Sequence, residues 1–217
     1  MPGKTLRKLL SVVALAAVLG FAAQPATAET LDDIINSGKV RIMVPIDVPI
    51  FGTMGTDGKP EGYDIDIANL IAKDLGVEAE LIPGTGPNRI PFLLTSKVDI
   101  VVMIMGATPE RAKSVSFTSP YAPFYIGIFG PPSVKVTSAA QTKGYKVGVP
   151  RGTTQDMSFS EIAPDGVKIV RFEDDATTIS ALLSGQVDMI GSGNIPMKKV
   201  AADNPGKVEL KFVLRMS

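Results

Sequence analysis

The chain has no cysteine and no histidine among its 217 residues. The first absence excludes disulfides, thiol nucleophiles, thiolate metal sites and lipid attachment at a cysteine. The second excludes a Ser-His-Asp triad and any histidine-containing metal site, so chemistry must rest on carboxylates, Lys, Arg, hydroxyls or the backbone. Aromatic residues make up only 6%, which argues against a stacking platform for polymers and leaves room for a small ligand. Charge of one sign is also lacking: 22 basic and 22 acidic residues balance, and such a surface offers no footprint for nucleic acid or anionic lipid.

What is present begins with an address. Lys4, Arg7 and Lys8 precede the apolar run Leu9 to Ala23, and Ala26-Thr27-Ala28 supplies small residues for cleavage before Glu29. Residues 1–28 therefore read as a secretory signal peptide, which implies export from the cytoplasm. The run is too short and Ala-rich to favour a permanent membrane span, and nothing later offers a second one. Without residues 1–28, 189 residues remain, with 19 basic against 22 acidic, enough for one sizeable domain or two small ones.

Strand and helix periods then alternate. Lys39 to Pro45 is a β-rich run, Asp47 to Gly52 a loop, and Thr56 to Pro60 turn chemistry. Ile67, Leu70, Ile71 and Leu75 share one helical face, with Gly76 as a stop. Val77 to Ile82 predicts a strand, Asn88 to Ser96 a helix, and Asp99 to Gly106 a buried strand. The order recurs downstream. Strands are predicted at Lys146 to Val149, Val167 to Val170, Val187 to Ile190 and Val208 to Leu214. Helices open at Arg151-Gly-Thr-Thr154, at Asp174 or Asp175, and at Ile195. Strands alternating with helices imply a parallel α/β sheet with right-handed crossovers. Leu93-Leu-Thr-Ser-Lys-Val-Asp99 and Leu182-Leu-Ser-Gly-Gln-Val-Asp188 match in pattern, which suggests two similarly built lobes.

Thr108-Pro109 reads as a helix start, hydroxyl at the cap and proline in the first turn. Arg111 falls in that turn, where free N–H groups and the helix dipole make a cation unwelcome unless an anion joins it. It is thus the first candidate for a carboxylate clamp, since a guanidinium fork matches a carboxylate in two parallel hydrogen bonds. Arg89 and Arg151 sit at similar junctions, beyond strand ends, where open α/β sheets bind anions. The plainer reading of each is an exposed arginine paired with a neighbouring acid or solvent. Gly84-Thr-Gly-Pro-Asn88 lacks the third glycine and the lysine-hydroxyl pair of phosphate loops. Asp64 and Asp66 read as helix-start aspartates rather than a catalytic pair.

Gly62-Tyr-Asp-Ile-Asp-Ile-Ala68, Asn88-Arg-Ile-Pro91, Lys97-Val-Asp99, Thr108-Pro-Glu-Arg111 with Phe117-Thr-Ser-Pro-Tyr121, and Val147-Gly-Val-Pro-Arg-Gly-Thr-Thr154 stand in this order. Together they resemble family 3 extracellular solute-binding proteins, the periplasmic receptors of polar amino-acid ABC importers, from about Leu31 to Ser217. The resemblance implies an α/β, two-lobed, type II periplasmic-binding-protein fold that closes on its ligand by hinge motion. It divides the chain into a first lobe at 29–124, a crossover or hinge at 125–135, a second lobe at 136–213, and the start of a second crossover at 214–217. It implies that Arg111 grips a ligand α-carboxylate with the Thr154 N–H, next to Thr153, completing the clamp. Arg89 would hold a side-chain carboxylate, favouring glutamate or aspartate. The implied partners are that amino acid and a membrane permease; no metal or cofactor is expected.

Several positions depart from the family pattern. Val48 stands where an aromatic ring often covers the ligand, leaving Phe51 as a possible substitute. Gly106 offers only backbone where a hydroxyl is usual. Gly193 replaces the aspartate that pairs with the α-ammonium, leaving Ser192 and Asn194 to offset it. The chain stops at Ser217, where the family normally returns to the first lobe with a further strand and helices, so a complete second lobe and a first lobe with open edges are expected. Two other readings remain: a dehydratase-like periplasmic enzyme on the same scaffold, with Asp47 as its acid or base, and a remnant that binds no small molecule.

Overall fold

A computed structural model describes residues 31–215 of the chain; the expected signal peptide lies outside them. Helix α1 (Leu31–Ser37) leads into β1 (Lys39–Pro45), followed by the short strands β2 (Asp47–Val48), β3 (Gly52–Met54) and β4 (Pro60–Glu61). Helix α2 (Tyr63–Leu75), β5 (Glu78–Gly84), α3 (Arg89–Leu94), β6 (Ile100–Val101) and α4 (Pro109–Ala112) complete this half. The second half runs β7 (Ile126–Gly130), β8 (Lys146–Pro150), α5 (Thr154–Ile162), β9 (Lys168–Phe172), α6 (Asp175–Leu183), β10 (Met189–Gly193), α7 (Asn194–Asp203) and β11 (Glu209–Leu214).

The first half is built on a parallel sheet ordered β5-β1-β6. β1 lies in the middle, and Val40, Ile42 and Val44 on it are fully buried. They pack with Ile65, Ala68 and Ala72 of α2, positions spaced three and four apart as one helical face requires. Each of these Val and Ile side chains contributes about 1.5–3 kcal/mol relative to exposure. Gly76 ends α2 in the left-handed conformation, φ 71°, which glycine adopts without a Cβ clash. The expected loop at 47–52 is instead a small antiparallel sheet, β2-β3-β4. Gly52 lets it fold hard against the end of β1: a Cβ there would lie 2.2 Å from the Pro45 carbonyl oxygen. That close approach brings Asp47 and Val48 to the mouth of the sheet.

The second half is a five-stranded sheet ordered β11-β7-β10-β8-β9. It is mixed rather than wholly parallel: β7 runs antiparallel to both β10 and β11. The stretch 125–135, expected as a crossover, holds β7, whose residues Ile126 to Gly130 are all buried. Its Pro/Gly-rich flanks suggest a crossover or hinge, and the apolar run between them packs inside the sheet. The expected strand at 99–106 pairs only over Ile100 and Val101; beyond the bond from Val102 N–H to the Met43 carbonyl, 2.9 Å, the chain leaves the sheet edge.

The repeated Val-Asp motif has a structural cause. Asp99 accepts a hydrogen bond from the Arg41 N–H at 2.7 Å, and Asp188 accepts one from the Lys146 N–H, also at 2.7 Å. Each aspartate thus pins the start of the strand beside it, β1 in one half and β8 in the other.

Candidate functional site

The two halves meet where their strands end. Arg111 is 8% exposed, held on α4 by the Thr108 hydroxyl, which accepts from the Arg111 N–H at 3.3 Å. Its guanidinium donates to the Gly106 carbonyl at 2.9 Å and crosses the cleft to the Thr154 hydroxyl and the Gly152 carbonyl, each at 3.1 Å. Burial, followed by the nearby charge of Arg89, lowers its pKa to about 10. Arg111 therefore turns inward and shares a crevice with Thr154, at the start of α5. Thr153 spends its hydroxyl locally, donating to the Pro150 carbonyl at 2.7 Å and accepting from the Asp156 N–H at 3.3 Å.

Beside this bridge lies a cleft lined by Val48, Arg89, Gly106, Phe124, Thr154 and Asp175. It leaves only about 20 Å³, room for roughly one water, so an amino acid can enter only if the halves part. A larger hollow of about 280 Å³ lies behind the bridge, against Glu110, Lys113, Met157 and Ser158. The smaller space is the better site on chemical grounds, because buried charges converge on it.

Arg89 is 6% exposed and its Nε has no hydrogen-bond partner among the described residues. Burial lowers its pKa, opposed by Asp175, Asp47 and Asp64 in that order. Asp175 is pushed up to about 7, first by burial and then by Asp47, with Arg89 opposing. Burial also raises Asp47, whose Oδ2 accepts from the Asp175 N–H across the cleft at 2.9 Å while its Oδ1 lacks a partner. Asp64 rises to about 6 through burial, which outweighs the hydrogen bond it accepts from the Tyr121 hydroxyl at 3.1 Å. Among the described residues no group of three or more acidic side chains could hold a metal ion.

Other sequence candidates fall outside this arrangement. Arg151 pairs with Glu173 at 3.0 Å, its side chain 53% exposed, because it precedes α5 on the solvent side of the turn. Phe51 is 2% exposed and set edge-on to Tyr63 at 6.1 Å, so it serves the core beneath β3; Phe124 is the ring that lines the cleft. The Asn194 amide oxygen accepts from the Tyr125 N–H at 2.9 Å, which ties it to the base of β7. Ser192 is buried at 2% with its hydroxyl unpartnered. The inference from Arg89 towards glutamate or aspartate loses its basis, since three carboxylates of the chain already face that cation. Asp175 was visible only as one of two adjacent aspartates at a helix start. Asp174 alone makes the cap, accepting from the Thr177 N–H at 2.6 Å, and the redundant neighbour was the available signal.

Two α/β lobes facing each other across a cleft at their strand ends, with an arginine bridging it, define the type II periplasmic-binding-protein fold. The chain belongs to the bacterial extracellular solute-binding proteins, family 3, whose model matches residues 40–134. It is 34% identical to the ABC transporter glutamine-binding protein GlnH of Bacillus subtilis over 190 residues, covering 85% of this chain and 69% of that protein. Against the L-cystine-binding protein TcyJ of Escherichia coli K12 the identity is 30%, covering 84% and 69%. Among solved structures, the cysteine-binding protein from Campylobacter jejuni superposes with a TM-score of 0.79 at 30% identity, covering 85% of this chain and 77% of that one. Holo ArgBP from T. maritima gives 0.78 at 28% identity, covering 86% and 84%. These relatives are named as binding proteins, and the chain is a solute-binding protein of their kind.

Proposed function

We propose that this protein captures a polar amino acid in the periplasm, between its two lobes, and delivers it to the permease of an ABC importer. The observation that carries this reading is the buried Arg111 guanidinium spanning the cleft to Thr154 and Gly152. Its donors now rest on a hydroxyl and on neutral carbonyls, and a carboxylate is the stronger acceptor for a guanidinium fork. A ligand carboxylate entering between the lobes would take over these bonds and hold both sides together, with the Thr154 N–H at the start of α5 as a further donor. The names of the relatives support an amino acid and an importer as partners.

Charge at the cleft narrows the class. Arg89 faces Asp175, Asp47 and Asp64, one cation against three carboxylates when all are ionised, while Arg111, near Arg89, takes the ligand carboxylate. An acidic ligand side chain would add to the sign already in excess, so the reading favours a neutral or cationic side chain over glutamate or aspartate. The raised Asp47 keeps an enzymatic reading in view, as the acid or base of a dehydratase; turnover of a candidate substrate would establish it.

Isothermal titration against the standard amino acids tests the binding reading. Arg111→Ala should weaken binding by about 2–5 kcal/mol, the usual result of truncating one member of a buried charge pair, which is roughly thirtyfold or more in Kd. No heat with any amino acid, or heat that survives the substitution, would overturn it.

A further inference from the structure

A buried ammonium needs an anion beside it, because desolvation of an unpaired charge costs several kcal/mol. The second-lobe wall of the cleft offers few. Gly193 has no side chain, the Asn194 amide oxygen is taken by the Tyr125 N–H, and Ser192 carries a neutral hydroxyl. Asp175 is the exception. It is 7% exposed, lines the cleft, and its carboxylate accepts no hydrogen bond among the described residues. Asp47 faces it from the other lobe with Oδ1 unpartnered, and the buried Arg89 beside them has an unpartnered Nε. Arg89 is one guanidinium among Asp175, Asp47 and Asp64, so when these are ionised negative charge is left without an offset, which suits a cation.

We propose that Asp175, supported by Asp47, receives the α-ammonium of the ligand whose carboxylate Arg111 holds. The role usually given to a side chain at position 193 is thus supplied from the start of α6. This rests on the amino-acid reading above. Arg111 and Asp175 would then fix the two poles of a zwitterion, and the ligand side chain would be read by Phe124, Val48 and the remaining wall.

The test uses L-glutamine and its analogue lacking the amino group, 4-carbamoylbutanoate, by titration at pH 8, with L-arginine and L-cysteine in parallel. Asp175→Asn should weaken binding of the amino acids at least thirtyfold yet change that of the analogue less than about threefold. Gly193→Asp added to Asp175→Asn should restore at least tenfold. Position 193 has room, since a Cβ there meets only Pro196 Cδ at 3.5 Å and Phe124 Cδ2 at 3.8 Å, which is ordinary contact. A purely structural role would lower amino acid and analogue alike, and that result overturns the proposal, as does an Asp175→Asn protein that binds normally. The unsubstituted protein gives a second readout. Asp175 lies among Asp47, Asp174 and Arg89, and at pH 6 it must lose a proton to accept the ammonium, so the heat should depend on the ionisation enthalpy of the buffer; buffer-independent heat counts against it. If Arg111→Ala abolishes binding while Asp175→Asn does not, only this inference falls; if no amino acid binds at all, the proposed function falls with it.

Discussion

Asp156 and Asp175 stand in the first turns of neighbouring helices on the same sheet, both nearly buried, yet they behave as opposites. Asp156 on α5 accepts from the Gly152 N–H at 2.9 Å, from Arg171 Nε at 2.9 Å and from the Ser160 hydroxyl at 3.2 Å. Asp175 on α6 offers its carboxylate to nothing among the described residues and faces the cleft. Both gain from the positive end of a helix, but for Asp175 burial wins, as its raised pKa shows. The contrast separates a carboxylate that holds the fold from one set aside for a ligand. Buried polar groups are normally satisfied, so the exceptions locate function better than burial alone does.

The sharpest way to break the contrast is to remove each acid in turn. Asp156→Ala strips partners from Gly152, Ser160 and Arg171 at once. The Arg171 side chain is 39% exposed, so solvent screens part of the pair, and a loss of about 2 kcal/mol is expected rather than the larger figure for fully buried pairs. By calorimetry that is a fall in Tm of roughly 4–8 °C for a chain of this size. Asp175→Asn should not lower Tm at pH 8. Equal losses from the two substitutions would dissolve the distinction.

A subtler effect follows from protonation. The folded state holds the proton on Asp175 up to about pH 7, whereas the unfolded chain releases it near 3.8. Between those values the native state binds more protons than the unfolded one, so stability falls as pH rises, and the penalty is complete above about pH 7. Asp64, at about 6, adds the same sign over a narrower window. Without ligand, Tm should therefore be higher at pH 5 than at pH 8, and Asp175→Asn should flatten part of that slope. A Tm that climbs towards pH 8 in the unsubstituted protein would mean that Asp175 is ionised and paired after all.

Much of this was legible in the residues. Helix α2 and its glycine stop, the strand β1 and the Thr108 cap follow from periodicity, turn chemistry and capping, which are local and read directly. The paired Val-Asp motifs disclosed two like-built halves because each aspartate performs the same local task. Partners that lie far apart along the chain were less legible. Nothing around position 47 indicates that its carboxylate will meet the Asp175 N–H, 128 residues away, or that Arg89 will be met by acids from three separate elements. Phe51 stands as the candidate cleft ring until the fold of β2 and β3 buries it, and nothing local marks Phe124 as the ring that lines the cleft. The short apolar strand β7 was hidden by its flanks, since Pro and Gly on both sides read as a crossover or hinge whatever lies between.

Arginines make the smallest and most exacting test of the contrast. Arg89, Arg111 and Arg151 occupy the same kind of junction, and local sequence does not rank them. Burial does: Arg111 and Arg89 are nearly inaccessible, whereas Arg151 meets Glu173 in solvent. An exposed pair of this kind contributes about 0–1 kcal/mol, so Arg151→Ala should move Tm by no more than about 4 °C and leave ligand affinity within twofold. It also removes an exposed positive charge, and any steering effect would be confined to the association rate and would fade as salt rises. A large loss of affinity for Arg151→Ala that persists at high salt would show that Arg151 enters the site on closure, and would transfer to it part of the carboxylate grip assigned here to Arg111.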